Sequence, residues 1–239
     1  MNTTLLVATL NEIEGMRAIM PRVKPEWCDQ ILVVDGGSTD GTIEYARERG
    51  YEVVVQKKPG LWQGYREAWP HIRGDAVITF SPDGNSIPEL IPDLITKMRE
   101  GHDMVIASRY LGPAKSADDD IITGFGNWLF TKTVNLLHGG GYTDVMVIYR
   151  IFRTKLFYEL GIEREDYAWL ERMLHTRLGA EPLISVRMAK TGKRIAEIPG
   201  DEPPRLGGVR KLQIIRWGLA YYAQFWLERF SWPVRDGRI

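Results

Sequence analysis

Cysteine is nearly absent: Cys28 is the one thiol among 239 residues. That excludes an internal disulfide framework and any zinc cluster built from cysteine. No charge excess exists either, with 31 Lys and Arg against 31 Asp and Glu. Such a balance argues against bulk electrostatic binding, so nucleic acid is not expected as a partner. No apolar run approaches the roughly 18 residues of a membrane span. Met1 to Leu5 lacks the basic and long apolar stretches of a signal peptide, and the expected location is the cytoplasm. His71, His102, His138 and His175 are scattered, and none has H-E-x-x-H spacing. The dinucleotide G-x-G-x-x-G, the phosphate-loop G-x-x-x-x-G-K-[ST] and the G-x-S-x-G elbow are missing too. Dehydrogenase, P-loop kinase and serine hydrolase chemistry are therefore disfavoured. A nucleotidyltransferase should carry a glycine-rich loop and a cation after its first strand, and Ala8 to Glu12 carries neither.

Hydrophobic residues make up 44% of the chain, enough for a sizeable core. Short apolar runs recur at Thr4–Thr9, Ile31–Val34, Val53–Gln56, Ala76–Phe80 and Met104–Ala107, each separated from the next by a helix-like stretch. Runs of this kind predict buried parallel strands in a wound α/β sheet. Helices are predicted over Gly124–His138, Tyr167–Leu178, Pro182–Ala189 and about Val209–Arg229. Thr143–Phe152 is a mixed apolar segment, and Arg194–Ile198 reads as a further strand before a Pro-Gly-rich loop. Wound sheets bind ligands beyond the carboxyl ends of their strands, so the loops after Thr9, Val34, Phe80 and Ala107 should carry the chemistry.

Asp35 ends the second run, and Gly36-Gly37-Ser38-Thr39-Asp40-Gly41-Thr42 follow it. Its carboxylate either accepts a proton donor of a nucleotide or belongs to an ordinary turn before a capped helix. Ser81-Pro82-Asp83-Gly84-Asn85 follows the fourth run. Asp83 and Asn85 could give oxygen to Mg²⁺ or Mn²⁺, though Pro-Asp-Gly-Asn is also strong turn chemistry. Asp118-Asp119-Asp120 reads either as a metal-binding run or as a solvated helix start. Arg205, Arg210 and Lys211 flank Gly207-Gly208 and form either an anion site or a basic helix start.

In order along the chain, these elements resemble the family 2 glycosyltransferases of the GT-A fold. The branch they are most similar to is the dolichol-phosphate mannose synthase type, which moves a sugar onto a polyprenyl phosphate. The resemblance runs from Thr4 to Lys211. It passes through Thr9-Leu10-Asn11-Glu12, the Asp35 octet, Gly60–Asp75, Ser81–Asn85, Pro88-Glu89 and Ala107-Ser108-Arg109-Tyr110. It continues through Thr123–Asn127, Thr143-Asp144, Glu197-Ile198-Pro199 and Arg205-x-x-Gly208-x-Arg210-Lys211. It implies one GT-A domain over residues 1–211, followed by an aromatic-rich helix and tail over 212–239. It implies a nucleotide-diphosphate sugar held by Thr9, Asn11, Glu12, Asp35, Gly60, Arg66 and Asp83. Asp83 and Asn85 would hold the metal, Mg²⁺ or Mn²⁺. Arg109, Thr123, Asn127 and Arg210 would hold the acceptor or its phosphate, and Arg205 and Lys211 would stabilise the leaving nucleotide diphosphate.

The implied reaction is a single inverting displacement. A polyprenyl phosphate or other lipid-linked acceptor needs no strong base; a saccharide hydroxyl would need one, and Asp144 is the candidate. The chain departs from the family pattern in three places. Ser81 replaces the first acid of D-x-D, which leaves open a non-catalytic nucleotide-sugar-binding protein. Arg210 replaces a serine. Asp118–Asp120 are acidic where many relatives are basic, and like charge there would repel a phosphate. The aromatic segment Trp217–Trp232 suits either a peripheral membrane contact or packing on the catalytic domain or a second subunit of a homodimer.

Overall fold

The computed structural model describes residues 1–206 and 214–231. The strands are β1 (Thr3–Thr9), β2 (Gln30–Asp35), β3 (Glu52–Val55), β4 (Ala76–Phe80), β5 (Met104–Ser108), β6 (Arg150–Arg153) and β7 (Ile195–Pro199). They form a single sheet in the order β3-β2-β1-β4-β6-β5-β7. The helices are α1 (Ile13–Ile19), α2 (Thr42–Glu48), α3 (Leu61–Ala68), α4 (Ile91–Arg99), α5 (Ile121–His138), α6 (Leu156–Glu159), α7 (Ala168–Leu174), α8 (Glu181–Lys190) and α9 (Ile214–Ser231).

The apolar runs are strands because they are buried on both faces. Every residue of β4 and β5 is buried, and β1 is nearly so. β1, β2, β3 and β4 pair in parallel, as do β5 and β7. β6 is the exception, antiparallel to both β4 and β5. It forms the end of the mixed segment Thr143–Phe152, and its direction has a consequence for the site. The chain enters β6 at the edge where its parallel neighbours end, so residues before Arg150 reach the ligand side of the sheet.

Several boundaries move. α5 begins at Ile121, three residues before the expected start, because Asp120 and Thr123 form a reciprocal capping box. α7 stops at Leu174, since His175 adopts a left-handed conformation with φ 50°. The expected boundary between 211 and 212 lies outside the described residues.

α9 is neither wholly exposed nor wholly packed. Ala220, Tyr221, Gln224, Phe225 and Glu228 are buried, whereas Leu219, Trp226 and Phe230 are exposed. Phe130 of α5 meets Tyr221, Tyr222 and Phe225 at ring separations of 5.9 to 6.2 Å. The buried half of the aromatic stripe therefore packs on the rest of the chain. α5 adds its own exposed apolar residues: Ile121, Ile122, Phe125 and Trp128. No helix among the described residues is long and apolar enough to cross a membrane.

Candidate active site

A cleft of about 1130 Å³ opens over the carboxyl ends of the parallel strands. Thr9 at the end of β1 and Leu10 beyond it, Gly36 after β2, Gln56 after β3, and Ser81, Asp83 and Asn85 after β4 all reach it. Arg109 after β5, Glu202 and Arg205 after β7, and Met146 to Tyr149 before β6 complete the floor. The far wall comes from Ile122 and Phe130 of α5, Tyr221 of α9 and Leu178 before α8. Apolar side chains thus gather on the far wall, beside Arg177 and Glu181, which also line it.

Asp83 is brought there by close packing. A Cβ on Gly15 of α1 would lie 2.1 Å from the Pro82 carbonyl oxygen, so glycine lets α1 sit directly under the Asp83 loop. Gly84 has φ 98°, and Leu206 packs against the face where a side chain would stand. The Leu206 N–H donates to the Asp83 carbonyl at 2.9 Å, joining this loop to the one after β7. Arg205 Nη1 lies 3.1 Å from Asp83 Oδ2, and its Nε lies 3.4 Å from Asp118 Oδ2.

The donor set suits a hard divalent cation. Asp83 offers a carboxylate, and Asn85 Oδ1 is buried without a hydrogen-bond partner among the described residues. Among the described residues no group of three or more His, Cys, Asp or Glu is arranged to hold a metal. The protein would thus give part of a shell that substrate phosphates and water complete, the pattern Mg²⁺ and Mn²⁺ favour.

Other expected residues are placed differently. Asp35 is fully buried and turned into its own loop. Its Oδ1 accepts from the N–H groups of Gly37 and Ser38 at 2.8 and 2.7 Å. Its Oδ2 accepts from Thr9 Oγ1 and Ser38 Oγ at 2.6 and 2.7 Å. Asp35 therefore shapes the turn, while Gly36 forms the cleft wall. Asp35→Ala should lower stability by about 2 to 3 kcal/mol, because it strands several donors, and weaken nucleotide binding with it. Denaturant titration checks this; a ligand-facing acid would lose affinity at unchanged stability.

Arg66 is outside the cleft. It stacks over Trp62 at 4.4 Å and donates to the carbonyls of Glu163 and Arg164, so it clamps α3 to the 163–164 turn. Asn11 is exposed and fastens the first loop to the second through Ser38 and Thr39. Thr9, Glu12 and Gly60 do line the cleft, as do Thr123 and Asn127. Arg210 and Lys211 lie outside the described residues.

Asp144 is not placed as a base. It is fully buried and bidentate to Arg109, with Nε–Oδ2 2.6 Å and Nη2–Oδ1 3.0 Å. Burial alone would raise its carboxyl, but the Arg109 charge and hydrogen bonds outweigh that and hold it below the usual aspartate range. A base needs an accessible lone pair and a raised affinity for protons, and Asp144 has neither. Arg109 in turn is spent on carboxylates. Its Nη1 lies 3.2 Å from Glu202 and 3.9 Å from Asp119, leaving it poorly placed as a phosphate clamp. Because the folded-state affinity of Asp144 for protons is depressed, its stabilising contribution is full above the ordinary aspartate range. That contribution falls away as pH drops through the folded value. Asp144→Asn should flatten the acid limb of a pH–stability curve.

Three residues escaped the sequence reading. Glu202 links Arg109 to Ser116 and Asn85, and burial raises its carboxyl despite Arg109. Glu181 lines the cleft, accepts from Tyr65 Oη at 2.8 Å, and is pushed up by burial against the nearby Arg150 charge. Fully buried Arg150 donates to the carbonyls of Val145, Val147 and Glu181 and so fixes the floor. Glycine and motif spacing offer no signal for any of these.

Residues 6–161 match the family described as glycosyl transferase family 2. The chain belongs to that family. Glycosyltransferase AglJ of Haloferax volcanii is 29% identical over 205 residues, 85% of this chain, but the match spans just 64% of that longer protein. The undecaprenyl-phosphate mannosyltransferase of Micrococcus luteus is 28% identical over 245 residues, covering 92% of this chain and 95% of that one. Glucosyl-3-phosphoglycerate synthase from Mycobacterium tuberculosis, solved with Mn²⁺ and uridine-diphosphate-glucose, superposes with a TM-score of 0.60 at 20% identity. That match covers 97% of this chain and 80% of the synthase. The expected GT-A architecture is the one found, and this family 2 member is a glycosyltransferase.

Proposed function

We propose that this glycosyltransferase moves a sugar from a nucleotide-diphosphate donor to a polyprenyl phosphate or similar lipid-linked acceptor, with inversion at the anomeric carbon. The observation that carries the reading is the two-sided cleft. Its polar half, with Glu12, Asp83 and Asn85, suits the donor. Its far wall, where Ile122, Phe130, Leu178 and Tyr221 gather beside Arg177 and Glu181, offers apolar surface for a hydrocarbon chain. That wall runs on to the exposed Ile121, Phe125 and Trp128 of α5, a face that suits the surface of a bilayer. The name of the Micrococcus relative supports the same acceptor class.

Asp83 and Asn85 would hold the divalent metal, which when bound neutralises charge on the diphosphate. Arg205, one third exposed and already at Asp83, is the residue that would pair with the departing diphosphate. The committed state of Asp144 favours an acceptor that is anionic beforehand, since a hydroxyl would need a base. The reading is tested by incubating the chain with Mn²⁺, uridine-, guanosine- and thymidine-diphosphate sugars, and either polyprenyl phosphate in vesicles or soluble saccharides. Transfer to the lipid phosphate is expected; transfer to saccharides alone would refute it.

A further inference from the structure

The loop after β4 has Ser81 where an acid would give a metal its second carboxylate, yet a carboxylate stands opposite. Asp118, in the loop before α5, and Asp83 are held by the same guanidinium. Arg205 reaches Asp83 Oδ2 at 3.1 Å and Asp118 Oδ2 at 3.4 Å. The two acids thus stand on either side of one positive charge supplied by the protein itself. Asn85 completes the arrangement. Its Nδ2 donates to Asp118 Oδ2 at 3.2 Å, while its Oδ1 is buried with no donor among the described residues. That oxygen and the two carboxylates are hard donors of the kind a divalent cation takes.

We infer that Asp118 supplies from across the cleft the carboxylate that Ser81 does not, and that Arg205 holds the pair until a metal replaces it. The inference rests on the metal-dependent reading above. It gives the acidic run before α5 a purpose: Asp118 is a ligand, and its negative charge offsets the cation instead of facing a phosphate. The exchange also couples two events. The Leu206 N–H bond to the Asp83 carbonyl anchors the loop after β7. The Arg205 side chain can therefore swing away while its backbone stays, leaving the guanidinium free for the diphosphate.

The test reads Mn²⁺ binding to the full chain, without nucleotide, by the paramagnetic resonance of free Mn²⁺. Asp118→Asn should weaken binding about tenfold or more, at least what loss of a supporting group costs a metal site. Ser81→Asp in the same chain should restore it. Arg205→Gln, with both acids intact, should tighten Mn²⁺ binding by removing the competitor. Unchanged affinity in Asp118→Asn or in Arg205→Gln, with binding lost in Asp83→Ala, overturns the inference alone. Unchanged affinity in Asp83→Ala as well overturns the metal reading beneath it.

Discussion

Asp83→Ala is expected to abolish the Mn²⁺-dependent part of nucleotide-diphosphate binding and to reduce transfer about a thousandfold or more. Its carboxylate is buried beside a buried amide oxygen, and a metal stabilising a leaving diphosphate supplies several kcal/mol to the transition state. Thermal shift with uridine, guanosine and thymidine diphosphates, each with and without Mn²⁺, separates this from misfolding. A folded variant that keeps its metal response removes Asp83 from the site. Ser81→Ala should have a much smaller effect, since a neutral hydroxyl is a weak ligand next to a carboxylate.

The second large effect concerns stability and the apolar wall. Arg187 of α8 and Glu228 of α9 are both buried and meet at 2.7 Å. Arg187 also donates to the carbonyls of Leu160 and Gly161 at 2.8 Å and to Asp166 at 2.9 Å. Arg187→Met removes the cation paired with the buried Glu228 carboxylate, leaving it Tyr167 Oη at 2.6 Å and Lys190 at 3.9 Å, and takes a donor from the Leu160 carbonyl. Loss of one member of a buried pair costs about 3 to 5 kcal/mol. For a chain of this size that lowers the melting temperature by roughly 10 °C. Arg187→Met combined with Glu228→Leu should recover much of it, because no charge is then buried alone. A double variant as unstable as the single one would show that Arg187 acts mainly through the carbonyls.

Strands were legible in the sequence because parallel strands buried on both faces must be continuously apolar. The reversal of β6 was not, because Arg150–Arg153 has the same composition in either direction; its partners decide. The position of Asp83 on the cleft was legible from a strand end and a turn. The two readings of Asp35 could not be separated, since a carboxylate at a strand tip looks the same whether it meets a ligand or its own loop. The deciding donors are the Gly37 and Ser38 amides, which composition does not reveal. The two readings of Asp118 stay open in the sequence, because the contact with Arg205 from beyond β7 is one that no local pattern encodes.

The pairing of β5 with β7 bears on how the chain is made. β5 begins at Met104 and its partner at Ile195, so the partner leaves the ribosome long after β5 has emerged. Until then β5, apolar from Met104 to Ala107, has β6 on one side and an open row of amides and carbonyls on the other. Such an edge templates pairing with other chains. Fragments that stop before Ile195 should therefore aggregate through β5, and nascent chains of that length should depend on chaperones that the finished protein no longer needs.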